Sequence, residues 1–202
     1  MHFGDRLIKS THKIGNPLCV GLDPYLDKIP PLFQNGTMKP NDPRTALAVE
    51  TFLKAVVDLI VGKVAIVKPQ SAFFERLGWR GIKALDAIIQ YARGKDILVL
   101  MDAKRGDIGT TARAYAQTYL SNEAPLLSDA LTVNPFLGKD TLEPYLTEVN
   151  DNNRGLFILV KTSNPGSGDY QNVLVKNIPL YELIGKSLRS IASGYVGSAT
   201  GW

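Results

Sequence analysis

Ile97-Leu98-Val99-Leu100-Met101 runs directly into Asp102-Ala103-Lys104-Arg105-Gly106-Asp107. A short continuous apolar run that ends in charge reads as a buried strand. Side chains two apart on a strand point to the same face, so Asp102 and Lys104 are expected side by side. In a closed barrel they would project into the interior. Gly106 lets the chain turn before Asp107. Such a charge set is costly to bury without partners or a use. A structural ion pair capping the strand is the simpler alternative. The recurrence of this strand-end pattern along the chain favours use.

Working outward, apolar runs alternate with helical patterns. The strands are expected at Leu18–Leu22, Val64–Val67, Ile97–Met101, Ala130–Val133, Leu156–Val160 and Tyr195–Ala199. The first five end at Asp23, Lys68, Asp102, Asn134 and Thr162, spaced 28 to 45 residues apart. That spacing is the length of a repeated strand-and-helix unit. Between them, Asp42-Pro43 reads as the start of a helix through Ile60, and Gly94 as the stop of a second helix. Further helices are expected over about Thr110–Leu120, Leu142–Val149 and Leu180–Ala192. Polar residues at every strand end point to an α/β protein of the (β/α)₈ TIM-barrel class. A doubly wound sheet would gather its site at one switch point, and no Gly-x-Gly-x-x-Gly follows any strand. About six of eight βα units are expected in this chain. Residues 1–202 then form a single barrel domain, truncated after the sixth strand.

Composition narrows the chemistry. The 202 residues are 45% hydrophobic and 21% charged, with a net charge of +4. There is no Lys/Arg block of the kind that binds nucleic acid, no apolar signal core and no run long enough to span a membrane. The single Cys19 is expected as core filler in a reducing cytosol, so the protein is expected in the cytoplasm. The only histidines, His2 and His12, lie near the N-terminus, away from every strand end. A histidine triad or multi-histidine zinc site is therefore not expected. Acid–base work falls to Asp, Glu, Lys or Tyr.

Five motifs now carry a resemblance. Gly21-Leu22-Asp23-Pro24, Val67-Lys68-Pro69-Gln70-Ser71, Asp102-Ala103-Lys104-Arg105-Gly106-Asp107, Leu131-Thr132-Val133-Asn134-Pro135 and Lys161-Thr162-Ser163-Asn164-Pro165-Gly166 stand in this order. Together they resemble the orotidine 5′-phosphate decarboxylase family, in its bacterial subgroup with longer chains. The resemblance implies conversion of orotidine 5′-phosphate to UMP and CO₂, a carboxy-lyase step of de novo pyrimidine biosynthesis, with no cofactor and no metal. It makes Lys104 the proton donor to C6 of the pyrimidine. Asp102 would lie beside the substrate carboxylate and hold Lys104, and Lys68 would continue the charge row and reach the ribose. Asp23 would bind a ribose hydroxyl, and Thr162 and Ser163 would contact the pyrimidine. Asp107, with Ile108 and Thr111, would reach into the neighbour's site across a homodimer interface. The glutamine- and arginine-bearing segments that grip the phosphate would lie beyond Trp202.

Elementary electrostatics agrees with these roles. Loss of CO₂ from the ring carbon leaves a poorly delocalised carbanion, and a fixed ammonium is the group available to meet it. At an effective dielectric near 20, a unit charge at about 4 Å is worth about 4 kcal/mol. Preorganised charge of this kind is usually the largest catalytic contribution. Three rival readings remain. One is a metal-dependent sugar-phosphate aldolase or synthase of the same barrel type, another a Schiff-base aldolase using Lys68 or Lys104. The third is an inactive ligand-binding barrel fragment. Bland roles also exist for single residues: a turn at Asp23, a snorkelling Lys68, a capping Thr162 or Ser163.

Overall fold

The computed structural model describes residues 1–201, and Trp202 lies outside the described residues. Five strands form one parallel sheet: β1 (Cys19–Leu22), β2 (Ile66–Pro69), β3 (Leu98–Arg105), β4 (Ala130–Val133) and β5 (Gly155–Ile158). Their spatial order is their sequence order. A doubly wound sheet would reverse direction partway, so this progression is that of a barrel wall. The crossovers carry α2 (Thr45–Ile60), α3 (Ser71–Glu75), α4 (Gly78–Arg93), α5 (Gly109–Leu120) and α6 (Glu143–Asn152). The fold is α/β, of the TIM-barrel type.

Strand alternation sorts the side chains into two layers. Val67, Val99, Met101, Leu131 and Val133 face the helices and are fully buried. There they meet Val49, Leu53 and Val57 of α2 and Leu85, Ile88 and Ile89 of α4, residues at helical spacing on one stripe. The opposite parity, Ile66, Leu100 and Ala130, forms a second cluster with Phe3. Continuing that parity to the carboxyl ends gives Lys68, Asp102 and Thr132. The polar set thus sits on the inner face, one layer above the apolar plug.

Phe3 belongs to α1 (Phe3–Ile14), a helix that the sequence reading did not anticipate. It closes the amino-terminal end of the sheet. Its ring stacks edge-on against Phe157 at 6.1 Å between centroids. Arg6 on the same helix binds the buried Asp129 carboxylate at 2.7 Å, and that carboxylate also accepts the Val99 amide at 3.0 Å. Arg93 and Arg154 stand 3.8 Å from it.

Several expectations are corrected. Tyr195–Ala199 is not a strand; the sheet has five members among the described residues. The segment turns instead, with the Gly201 amide bonded to the Gly197 carbonyl. At its end Asp5, a buried carboxylate on α1, accepts the Thr200 hydroxyl at 2.7 Å and the Thr200 amide at 2.9 Å. The Thr200 hydroxyl bond, set against burial, holds the Asp5 carboxyl below its ordinary range. Cys19 is exposed rather than core filler. α4 does stop at Gly94 as expected, although Gly94 keeps right-handed helical angles and the left-handed residue is Asp96 (φ 59°). α2 starts at Thr45, with Asp42 instead accepting the Arg44 and Thr37 amides. An unforeseen hairpin, β6 (Leu174–Val175) with β7 (Ile178–Pro179), turns through Lys176 and Asn177, both with positive φ. It stands between α7 (Gly168–Gln171) and α8 (Leu180–Ala192). α8 matches its expected limits.

A Cβ on Gly155 would lie 2.3 Å from the Phe3 ring. Gly155→Ala is therefore expected to destabilise the protein by about 1–3 kcal/mol, as overpacking does. In a Phe3→Ala background the same change should cost much less, because the clashing ring is gone. Denaturant unfolding of the four proteins checks this, and an equal cost in both backgrounds would refute it.

Candidate active site

The carboxyl end of β3 departs from regular pairing. Met101 pairs with Leu131 and Arg105 with Val133, so Asp102, Ala103 and Lys104 together face Thr132. This is a bulge, which re-aims side chains and interrupts the ladder. Lys104 adopts φ 46°, a left-handed conformation uncommon for a residue with a Cβ. Asp102 and Lys104 are side by side as alternation predicts, but a bulge rather than an extended strand sets their geometry.

Asp102 is the centre of the site and is 6% exposed. One carboxylate oxygen, Oδ1, accepts the Lys104 ammonium at 2.6 Å and the Thr132 hydroxyl at 3.0 Å. The other, Oδ2, accepts the Lys68 ammonium at 3.0 Å and the Gln70 amide at 3.0 Å. Burial pushes the carboxyl up, but hydrogen bonds from Lys104, Lys68 and Thr132 outweigh it and hold Asp102 below its ordinary range. The two lysines keep their outer surfaces open: the Lys104 side chain is 46% exposed and that of Lys68 31%. The arrangement is a buried anion gripping two cations that remain accessible from the mouth of the barrel.

Neighbouring residues brace this end. Arg105 ion-pairs with Glu75 on α3 and donates to the Tyr119 hydroxyl on α5 at 3.3 Å. Asp23, just past β1, has a buried Oδ1 with no hydrogen-bond partner. Such an orphan acceptor is costly unless a ligand or water meets it.

The other expected site residues are not gathered at Asp102. Asp107 accepts the amide of Ile108 at 2.8 Å and enters no ion pair among the described residues. Ile108 and Thr111 are exposed at the start of α5. Thr162 is clasped by Gln171, which accepts its amide at 2.9 Å and donates to its hydroxyl at 2.7 Å. Ser163 is exposed. Thr132 and Gln70 were missed as site residues. Both lie at inward parity with Lys68 and Asp102, which was the available signal. Among the described residues, no group of three His, Cys, Asp or Glu side chains could hold a metal ion. No described helix is long and apolar enough to cross a membrane.

Comparison with known proteins places this geometry. Residues 16–201 match the model of the orotidine 5′-phosphate decarboxylase / HUMPS family. The chain belongs to that family. It is 44% identical to an orotidine 5′-phosphate decarboxylase of Streptomyces coelicolor over 172 residues, 85% of this chain and 59% of the relative. It is 38% identical to one from Rhodopirellula baltica, covering all of this chain and 70% of that protein. The solved structure of Leishmania donovani OMP decarboxylase superposes with a TM-score of 0.77 at 33% identity, covering 98% of this chain and 69% of that one. The chain thus spans about three fifths of the Streptomyces coelicolor relative's length.

The lowered Asp102 carboxyl carries a stability prediction. A depressed folded-state value contributes stability that is present above the unfolded value, near 3.8 here, and is lost as pH falls through the folded one. The stability gap between the parent protein and Asp102→Asn should be constant at neutral pH and shrink only below about pH 4. Urea unfolding across pH 2–7 checks it, and a gap that closes on the alkaline side would contradict it.

Proposed function

We propose that the full-length protein is an orotidine 5′-phosphate decarboxylase, releasing CO₂ and forming UMP in pyrimidine biosynthesis. Family membership supports the reaction class. The single observation that carries the reading is the buried Asp102 carboxylate holding the exposed Lys104 ammonium at 2.6 Å at a strand's carboxyl end.

In this reading the substrate carboxylate on C6 lies towards Asp102. The bond from C6 to the carboxylate breaks, CO₂ leaves and the electron pair stays on C6. Lys104 stabilises that pair and delivers a proton to C6, then regains one from water. Repulsion between Asp102 and the substrate carboxylate would raise the ground state. Lys68 would hold Asp102 from its other oxygen and reach the ribose. Asp23, with its unpartnered oxygen, would accept a ribose hydroxyl. Thr162 and Ser163 would meet the pyrimidine edge, which requires Thr162 to share or leave its clasp with Gln171. No nucleic-acid or membrane partner is proposed, and the site of action is the cytoplasm.

Ile108 and Thr111 are exposed, Asp107 is half-buried, and none of them bonds Asp102. This supports a C₂ homodimer in which Asp107 completes the neighbour's site.

Loss of orotidylate absorbance, followed in excess chelator, tests the reaction. Lys104→Ala should lower turnover by at least about 10²-fold with the fold intact. Turnover that depends on added divalent metal would favour the aldolase-like reading. A Lys104→Ala protein keeping a tenth of parent activity would exclude Lys104 as the acid.

Shared sites have their own test. Mixing inactive Asp107→Ala and Lys104→Ala proteins should restore up to about a quarter of parent activity, since random pairing gives half heterodimers with one intact site each. No recovery despite demonstrated subunit exchange would mean that Asp107 acts within its own chain.

A further inference from the structure

We propose that Thr132 is a positioning residue for Lys104, its hydroxyl fixing both the backbone and the counterion that aim the ammonium. The proposal rests on the reading of Lys104 as proton donor.

Thr132 lies in β4 and is 7% exposed. A threonine oxygen offers two acceptor sites and one proton. The amides of Ala103 and Lys104 donate to it at 3.0 and 2.9 Å. These two donors occupy its acceptor capacity. The hydroxyl proton then goes to Asp102 Oδ1, 3.0 Å away. Every hydrogen-bonding valence of this side chain is used inside the protein. It has nothing left for a substrate, which makes it a positioning residue and not a catalytic one.

The bulge explains why a hydroxyl is needed. Three residues of β3 face Thr132 alone, so the ladder supplies no carbonyl for the Ala103 and Lys104 amides. Unpaired amides in this part-buried bulge would be costly. The Thr132 oxygen receives both and thereby holds Lys104 at φ 46°. The same atom donates to Asp102, the carboxylate that grips the Lys104 ammonium at 2.6 Å. One oxygen therefore constrains Lys104 from its backbone end and, through Asp102, from its side-chain end. Valine has the same shape but would leave both amides unpaired and Asp102 one donor short. Serine keeps the oxygen and should preserve the arrangement.

The test compares the parent protein with Thr132→Val and Thr132→Ser by two readouts. The first is steady-state decarboxylation of orotidine 5′-phosphate. The second is amide hydrogen exchange at Ala103 and Lys104, followed by NMR. Thr132→Val should lose about 10²-fold in kcat, the scale of a misplaced catalytic group, with KM changed by no more than about threefold. Thr132→Ser should stay within about threefold of parent kcat. Both amides should be protected in the parent and serine proteins and exchange freely in the valine protein. Should the valine protein fail to fold, Thr132→Ala takes its place with the same expected ordering. Parent-like kcat in the valine protein, a loss confined to KM, or a serine protein as impaired as the valine one would overturn the proposal. If the parent protein shows no decarboxylation, the functional reading fails. The amide exchange then decides the role of Thr132 alone, and equal protection in all three proteins refutes it.

Discussion

A single buried carboxylate, Asp102, accepts four hydrogen bonds from groups on three adjacent strand ends. Burying a lone carboxylate would cost several kcal/mol, and only paired cations with further donors on the remaining lone pairs offset that cost. Lys68 and Gln70 come from the end of β2, Lys104 from β3 and Thr132 from β4. The position of each strand end is therefore tied to the others through one charge. The β3 bulge, the left-handed Lys104 and the exposure of both ammonium groups are all parts of the same arrangement.

The two ends of the strands have different work. At the amino-terminal end, Phe3 seals the inner layer against Ile66, Leu100 and Ala130, and Gly155 leaves room for its ring. Asp129 takes Arg6 and the Val99 amide there, and its other basic neighbours lie farther off. These interactions tie α1 to the wall. At the carboxyl end the polar residues are arranged around accessible cations. Barrel enzymes place their chemistry at the carboxyl ends and their stabilising contacts opposite, and this chain follows that division.

Much of this was legible from local pattern. The i, i+2 spacing anticipated Asp102 beside Lys104, and the helix expected over roughly Leu180–Ala192 is α8. The bulge was not legible, because it depends on a hydroxyl 28 residues away from Lys104 in sequence. Lys104 has no local feature that favours a positive φ; Thr132 imposes it. The segment at Tyr195–Ala199 reads locally as a short strand, yet the Thr200 that follows it is bound by the Asp5 carboxylate, 195 residues away. Cys19 reads as core because its neighbours are apolar, but it is exposed. Gln70 lay unread in a motif noted for Lys68. At the bulge and at Thr200, a partner distant in sequence shapes what local pattern does not show. Family membership supports the proposed reaction, which no single contact identifies.

Asp102 is a buried carboxylate held ionised by the donors around it. Its carboxyl carbon can be followed directly by ¹³C NMR across pH, with Asp102→Asn providing the assignment. Asp102 is expected to be more ionised at pH 4 than an ordinary aspartate, which is about half protonated there. A titration midpoint at or above the ordinary aspartate value would contradict it.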